Sequence, residues 1–195
     1  MGDFKITDGT GGCSRSKVDN TKRLHTRSVS VTEQEEALRD GKDWNIETGY
    51  LTLTTDTASD VLYLKNTGER DLKVILYVVL AKASTGGSGD LLVGILRNPT
   101  AGTVVSDANE ANIVNMNFGS TNEISGDVYY GGEGKTLTGH DNEVVSKTTD
   151  DTRLLLGVKT ELPKGSSVGV RITPPSGNTS IDVNCVLEAF EAPNI

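Results

Sequence analysis

From Leu72 to Ala81 the chain reads LKVILYVVLA, apolar at nearly every position of both parities. Successive side chains of a strand alternate between faces, so Leu72, Val74, Leu76, Val78 and Leu80 line one face and Ile75, Tyr77, Val79 and Ala81 the other. Neither face suits water. Such a strand lies at the centre of a layered structure, or its second face is covered by a neighbour. The alternation predicts that Leu72, Leu76 and Leu80 enter the core and that Ile75, Tyr77 and Val79 form a subunit interface, with a short helix at 32–40 as the other candidate cover.

The same period of two runs through the rest of residues 44–190. Leu51 and Leu53 alternate with Tyr50, Thr52 and Thr54, and Val61–Leu64 follows a short turn, which predicts a hairpin. Further strands are predicted at Leu91–Leu96, Ile113–Phe118 and Asp127–Tyr130. Leu154, Leu156 and Val158, then Val168, Val170 and Ile172, then Ile181, Val183, Cys185, Leu187 and Ala189 alternate cleanly across two Pro-Gly turns, and predict a three-stranded meander. Glycine-rich Ser84–Gly89 and the polar stretch 131–150 read as loops. Only one helix is signalled: Thr32 and Glu35 have capping-box spacing, Ala37 and Leu38 give a small apolar face, and Gly41 stands where a left-handed stop belongs. With no βαβ rhythm and no fixed-period repeat, the expected fold is all-β: a two-sheet antiparallel β-sandwich, jelly-roll-like, with an extended N-terminal arm and one short helix.

Charge divides the chain. Residues 1–28 hold six cations, Lys5, Arg15, Lys17, Lys22, Arg23 and Arg27, against Asp3, Asp8 and Asp19; since the whole chain carries −8, the remainder carries −11. Phe4, Ile6 and Val18 are nearly all the apolar surface this arm has, too little to offset the entropy of ordering it alone. Another protein chain is the simplest thing to hold it, which assigns Arg15, Lys17, Lys22, Arg23 and Arg27 to a partner-binding arm. The predicted organisation is an extended basic arm, residues 1–28, followed by a single β-sandwich domain, residues 29–195. A sequence pI near 4.8 and the absence of interleaved aromatics in the arm disfavour nucleic acid as the partner. No window resembles a membrane span, and the start MGDFKITDG has charges where a signal peptide is expected to have its apolar stretch. Cys13 and Cys185 make no disulfide framework; Cys185 alternates with core positions and is expected free and buried, in a chain made in a reducing compartment.

The search for chemistry returns little. Gly131–Thr136 ends like a phosphate loop, but Tyr129 stands where the first glycine of that motif belongs and no helix signal follows. His140, Asp141 and Glu143 crowd one loop without the spacing of a zinc or EF-hand site. No nucleophile elbow or Ser-His-Asp grouping is legible, and Trp44 is the only tryptophan available to a sugar-cleaving groove. The Asn178-Thr179-Ser180 sequon reads as turn chemistry. The reading is non-enzymatic, with no catalytic residues, cofactor or metal assigned.

Gly9–Gly12, Lys17-Val18-Asp19 and Arg23–Val29, followed by the helix and Asn45–Gly49, resemble segments of virion structural proteins of tailed bacteriophages. The resemblance continues at Leu64–Thr67, Ser84–Gly89, Asn98-Pro99-Thr100, Leu162–Ser166 and Pro174–Thr179. It spans most of the chain but rests on turn and strand-edge motifs. It implies a repeated, non-enzymatic component of a phage particle, residing in the virion after synthesis in the host cytoplasm and contacting capsid or tail subunits, with a homo-oligomer expected. The first expectation is a capsid decoration or auxiliary protein anchored by its arm. The alternatives are a tail or neck protein, including an adhesin for a host glycan, and a β-sandwich polysaccharide depolymerase.

Overall fold

The computed structural model describes residues 6–7, 13–14, 31–54, 56–81, 85–148, 153–156 and 159–192; residues 6–7, 13–14, 76–78, 80, 142–144, 146, 148 and 153–156 are described by backbone only. Residues 1–32 and 33–195 are separate compact units. In the first, β1 (Ile6–Thr7) pairs antiparallel with β2 (Cys13–Ser14). The arm cations Arg15, Lys17, Lys22, Arg23 and Arg27 lie outside the described residues.

The second unit contains α1 (Glu33–Arg39), β3 (Asp43–Leu53), β4 (Ser59–Asn66), β5 (Leu72–Ala81), β6 (Leu91–Arg97), α2 (Thr103–Asp107), β7 (Asn112–Asn115), β8 (Gly126–Tyr130), β9 (Asn142–Thr148), β10 (Arg153–Leu156), β11 (Thr160–Leu162), β12 (Ser167–Thr173) and β13 (Ile181–Glu191). They form two antiparallel sheets. One runs β10-β5-β13-β3-β7, with β11 also on β5; the other runs β8-β4-β12-β6-β9. The all-β two-sheet sandwich is therefore as expected.

Local pairing differs from the sequence reading in three places. β3 pairs with β13 and β7 whereas β4 pairs with β12 and β8, so the expected hairpin is a crossing between sheets. The expected meander is likewise absent, because β10 and β13 border β5 while β12 lies in the other sheet. Period-two patterning reports one buried face; it carries no information about which strand lies alongside. The stretch 131–150 is also not all loop: β9 borders β6 along its whole length.

A bulge on β5 changes which of its residues face the core. Opposite β13, Leu76 pairs with Glu188 and Val74 with Ala189, leaving Ile75 as an extra residue. A bulge of one residue reverses the parity of everything beyond it. Leu72 and Val74 point into the core before the bulge, and Val79 and Ala81 do so after it. Of the predicted interface of Ile75, Tyr77 and Val79, the place of Val79 is corrected: it is 1% exposed in the inter-sheet core, while Ile75 is half-buried. The Tyr77 backbone stands opposite Leu187, and its side chain lies outside the described set. A second bulge at Thr48–Gly49 on β3 faces Cys185, whose amide donates to Thr48 Oγ1 at 3.0 Å; Gly49 supplies the positive φ of 68°. Cys185 itself is free and 1% exposed, as expected.

Both sheets contribute to one core, with Trp44, Ile46, Leu53, Leu62, Leu64, Val93, Val170, Ile172, Ile181 and Leu187 nearly or wholly shielded from water. Each such side chain contributes about 1.5–3 kcal/mol through burial. A smaller cluster sits on the outer face of the second sheet, where Tyr63 and Leu96 are covered by Val104 of α2 and by Leu137. This cover is fastened electrostatically. Asp60 is buried, accepts from Arg171 Nε at 2.7 Å and Nη2 at 2.9 Å, and accepts from the Leu137 amide, tying residues 131–138 onto β4 and β12.

Candidate interaction surface at a sheet edge

Several of the residues that the sequence offers for chemistry have structural duties. Gly131 lies against β4, where an added Cβ would sit 2.0 Å from the Asp60 carbonyl oxygen, and Lys135 is paired with Asp107. The phosphate-loop resemblance is thus a close backbone approach. Asp141 accepts from Asn98 Nδ2 at 3.3 Å; among the described residues no three His, Cys, Asp or Glu side chains are grouped to share a metal ion. Burial pushes the Cys185 thiol up to about 12, which keeps it protonated and a poor nucleophile. Asn178, at the sequon, donates to the Leu53 carbonyl at 3.0 Å and is buried in a turn.

A different place stands out. Residues 109–111 run beside β8, with Tyr130 N donating to Asn109 O at 2.8 Å and Ala111 N to Val128 O at 3.2 Å. The chain then leaves that sheet and continues as β7 along β3. Where it splays, a cleft of about 590 Å³ opens between the sheet edges. Trp44, Ile113 and Ile124 give it an apolar wall, Asn115 and Asn122 a polar one. Among the described residues its lining includes Glu110, Glu123 and Asp127 and no Lys, Arg or His.

Beside the cleft, β7 is the last strand of its sheet among the described residues. It and the following turn expose an apolar ribbon: Ile113, Val114 and Met116, then Phe118 at 86% exposed. Phe118 is held there by fixed chemistry. α1 ends in a Schellman turn, with Gly41 N donating to Leu38 O at 3.1 Å and Lys42 N to Ala37 O at 2.7 Å, as the Gly41 stop signal implied. The carbonyls left over at this terminus are taken by asparagines of the 115–122 turn: Asn117 Nδ2 donates to Arg39 O at 3.1 Å, Asn122 Nδ2 to Asp40 O at 3.1 Å, and Asn115 Nδ2 to Gly41 O at 2.9 Å. Trp44 Nε1 donates to Asn122 O at 3.3 Å from below. The turn is anchored on both sides of Phe118, so the ring is presented to solvent on a braced support. A pre-positioned aromatic needs little further ordering on binding.

Alternation predicts only a strand at Ile113–Phe118, of which β7 takes up 113–115 and the turn the rest. Its signal was nonetheless present: from Ala111 to Asn122 there is no charged residue and no proline, an unusual composition for an edge.

A carboxylate pair lies under α1 on the outer face of the first sheet. Asp43 is 2% exposed, and Oδ1 lacks a well-formed hydrogen bond. Gln34 Nε2 bridges it to Glu188, at 3.4 Å from Asp43 Oδ2 and 2.6 Å from Glu188 Oε1. Burial raises the Asp43 pKa from 3.8 to about 6; the Gln34 amide opposes this, the Glu188 charge adds to it, and the Trp44 amide opposes it.

No family model matches the chain, and no curated protein matches it.

Proposed function

We propose that this chain is a non-enzymatic structural component of a tailed-phage particle, and within that class a capsid decoration or auxiliary protein anchored by residues 1–28. The observation that carries the reading is complementarity: a basic arm belongs to a body with an acid-lined cleft and a braced, exposed Phe118 at an uncharged sheet edge. An arm reaching onto a neighbour adds contacts without enlarging the body, and linked contacts benefit from high effective concentration. The partners are other virion proteins and further copies of this chain, in the virion after synthesis in the host cytoplasm. The jelly-roll reading belongs to the same proposal. What supports it is that, setting aside β7, β8 and β11, the orders β3-β13-β5-β10 and β4-β12-β6-β9 fit a folded ribbon wrapped around a two-layer core.

The polar side of the cleft, with Asn115, Asn122, Ser120 and Thr121, favours the second reading, a tail or neck adhesin that meets a host glycan. Copy number separates the two. Quantitative mass spectrometry of purified particles, referenced to the major capsid subunit, should give a lattice-scale stoichiometry for decoration. A handful of copies per particle would assign the chain to the tail or neck instead.

A further inference from the structure

We propose that the β7 edge and the cleft beside it receive the basic segment Lys22–Arg27 of a second copy of this chain. The inference rests on the reading of residues 1–28 as an anchoring arm and names its acceptor. An edge strand offers a row of main-chain groups to an incoming strand, and natural edges are usually guarded by lysine, proline or a covering element. Residues 111–122 carry no such guard, and β7 has no further strand beyond it among the described residues. Charge selects the guest. The cleft lining holds Glu110, Glu123 and Asp127 without a basic residue, whereas Lys22-Arg23-Leu24-His25-Thr26-Arg27 holds three cations without an acid. Leu24 is the apolar residue this segment can set against Phe118.

Reach is sufficient. Residues 15–30 can extend to roughly 50 Å, enough to pass from one body of this size to the next. Main-chain pairing supplies register and affinity in such an exchange; the opposed charges speed encounter and exclude acidic competitors.

The test is sedimentation-equilibrium measurement on the intact chain. Wild type should self-associate, and more weakly as salt rises. Reversing the guest (Lys22→Glu, Arg23→Glu, Arg27→Glu) or the acceptor (Glu110→Lys, Glu123→Lys) should each weaken association by about tenfold or more. Mixing the two variants should restore it, because each then offers the charge the other lacks. Circular dichroism checks that both retain the β-rich fold. Should either fail to fold, binding of a labelled peptide of residues 1–28 to wild-type and Phe118→Ser chains gives the second readout, with Phe118→Ser expected to bind more weakly. A wild-type chain that stays monomeric overturns the proposal, as does a mixture that is not restored. If the guest reversal abolishes assembly while the acceptor reversal changes nothing, the arm still anchors but on another surface; the acceptor assignment then falls and the anchoring reading stands.

Discussion

Asp43→Asn should stabilise the protein at neutral and mildly alkaline pH. The wild-type carboxyl is raised from 3.8 to about 6, so between these values the unfolded chain has released its proton while the folded chain still holds it. The folded state then binds more protons, and stability falls as pH rises through this window, reaching its full penalty above the folded pKa. A shift of about two units corresponds to at most about 3 kcal/mol. The flanking Gln34 and Glu188 are half-buried, and relaxation of their side chains around the charge reduces the expected penalty to about 1–2 kcal/mol. Asparagine keeps the shape, removes the charge, and presents Glu188 with an amide rather than a second carboxylate. Urea denaturation of both chains should give a gain of about 1–2 kcal/mol at about pH 8 that shrinks toward zero below about pH 4. A variant that is destabilised at pH 8, or a difference that does not change with pH, would refute the assignment of the penalty to this carboxyl.

Cys185→Ser should cost about 1–3 kcal/mol, read as a lower urea midpoint, because a hydroxyl replaces a thiol in the inter-sheet core. The wild-type thiol should stay unmodified by an alkylating reagent at pH 8 until denaturant is added. Arg171→Ala leaves the Asp60 carboxylate buried without its bidentate partner and should cost about 3–5 kcal/mol, with residues 131–138 becoming sensitive to protease. Val79→Ala should cost about 2–3 kcal/mol and Ile75→Ala clearly less; equal costs would remove the bulge argument for β5.

The legible part of this fold was its buried faces. Alternation identified Val168, Val170, Ile172, Val183, Cys185 and Leu187 as core residues, and all are buried. The capping spacing and Gly41 located the seven-residue helix α1 to within a residue or two. What alternation could not convey was pairing: strands adjacent in sequence hop between sheets here, and a hairpin reading of β3 and β4 obeys the same pattern as a crossing. Nor could it convey the Ile75 bulge, which shifts the core-facing residues from Leu72 and Val74 to Val79 and Ala81. α2 escaped notice because residues 103–107 form a single turn or so, too short for a periodic signal. The candidate surface was hidden for a further reason. Its acids, Glu110, Glu123 and Asp127, converge only when residues 109–115 leave one sheet for the other, and Phe118 gains meaning only once the asparagines around it are seen to clasp the end of α1.

The central claim is that this chain assembles onto a particle through its basic arm. Imaging particles that carry either the full chain or one lacking residues 1–28 tests it most directly. Full-length particles should show repeated density on the capsid lattice, and the truncated chain should be absent from the lattice while remaining folded in solution. Truncated protein at full occupancy on the particle, or no density attributable to the full chain, would contradict the account.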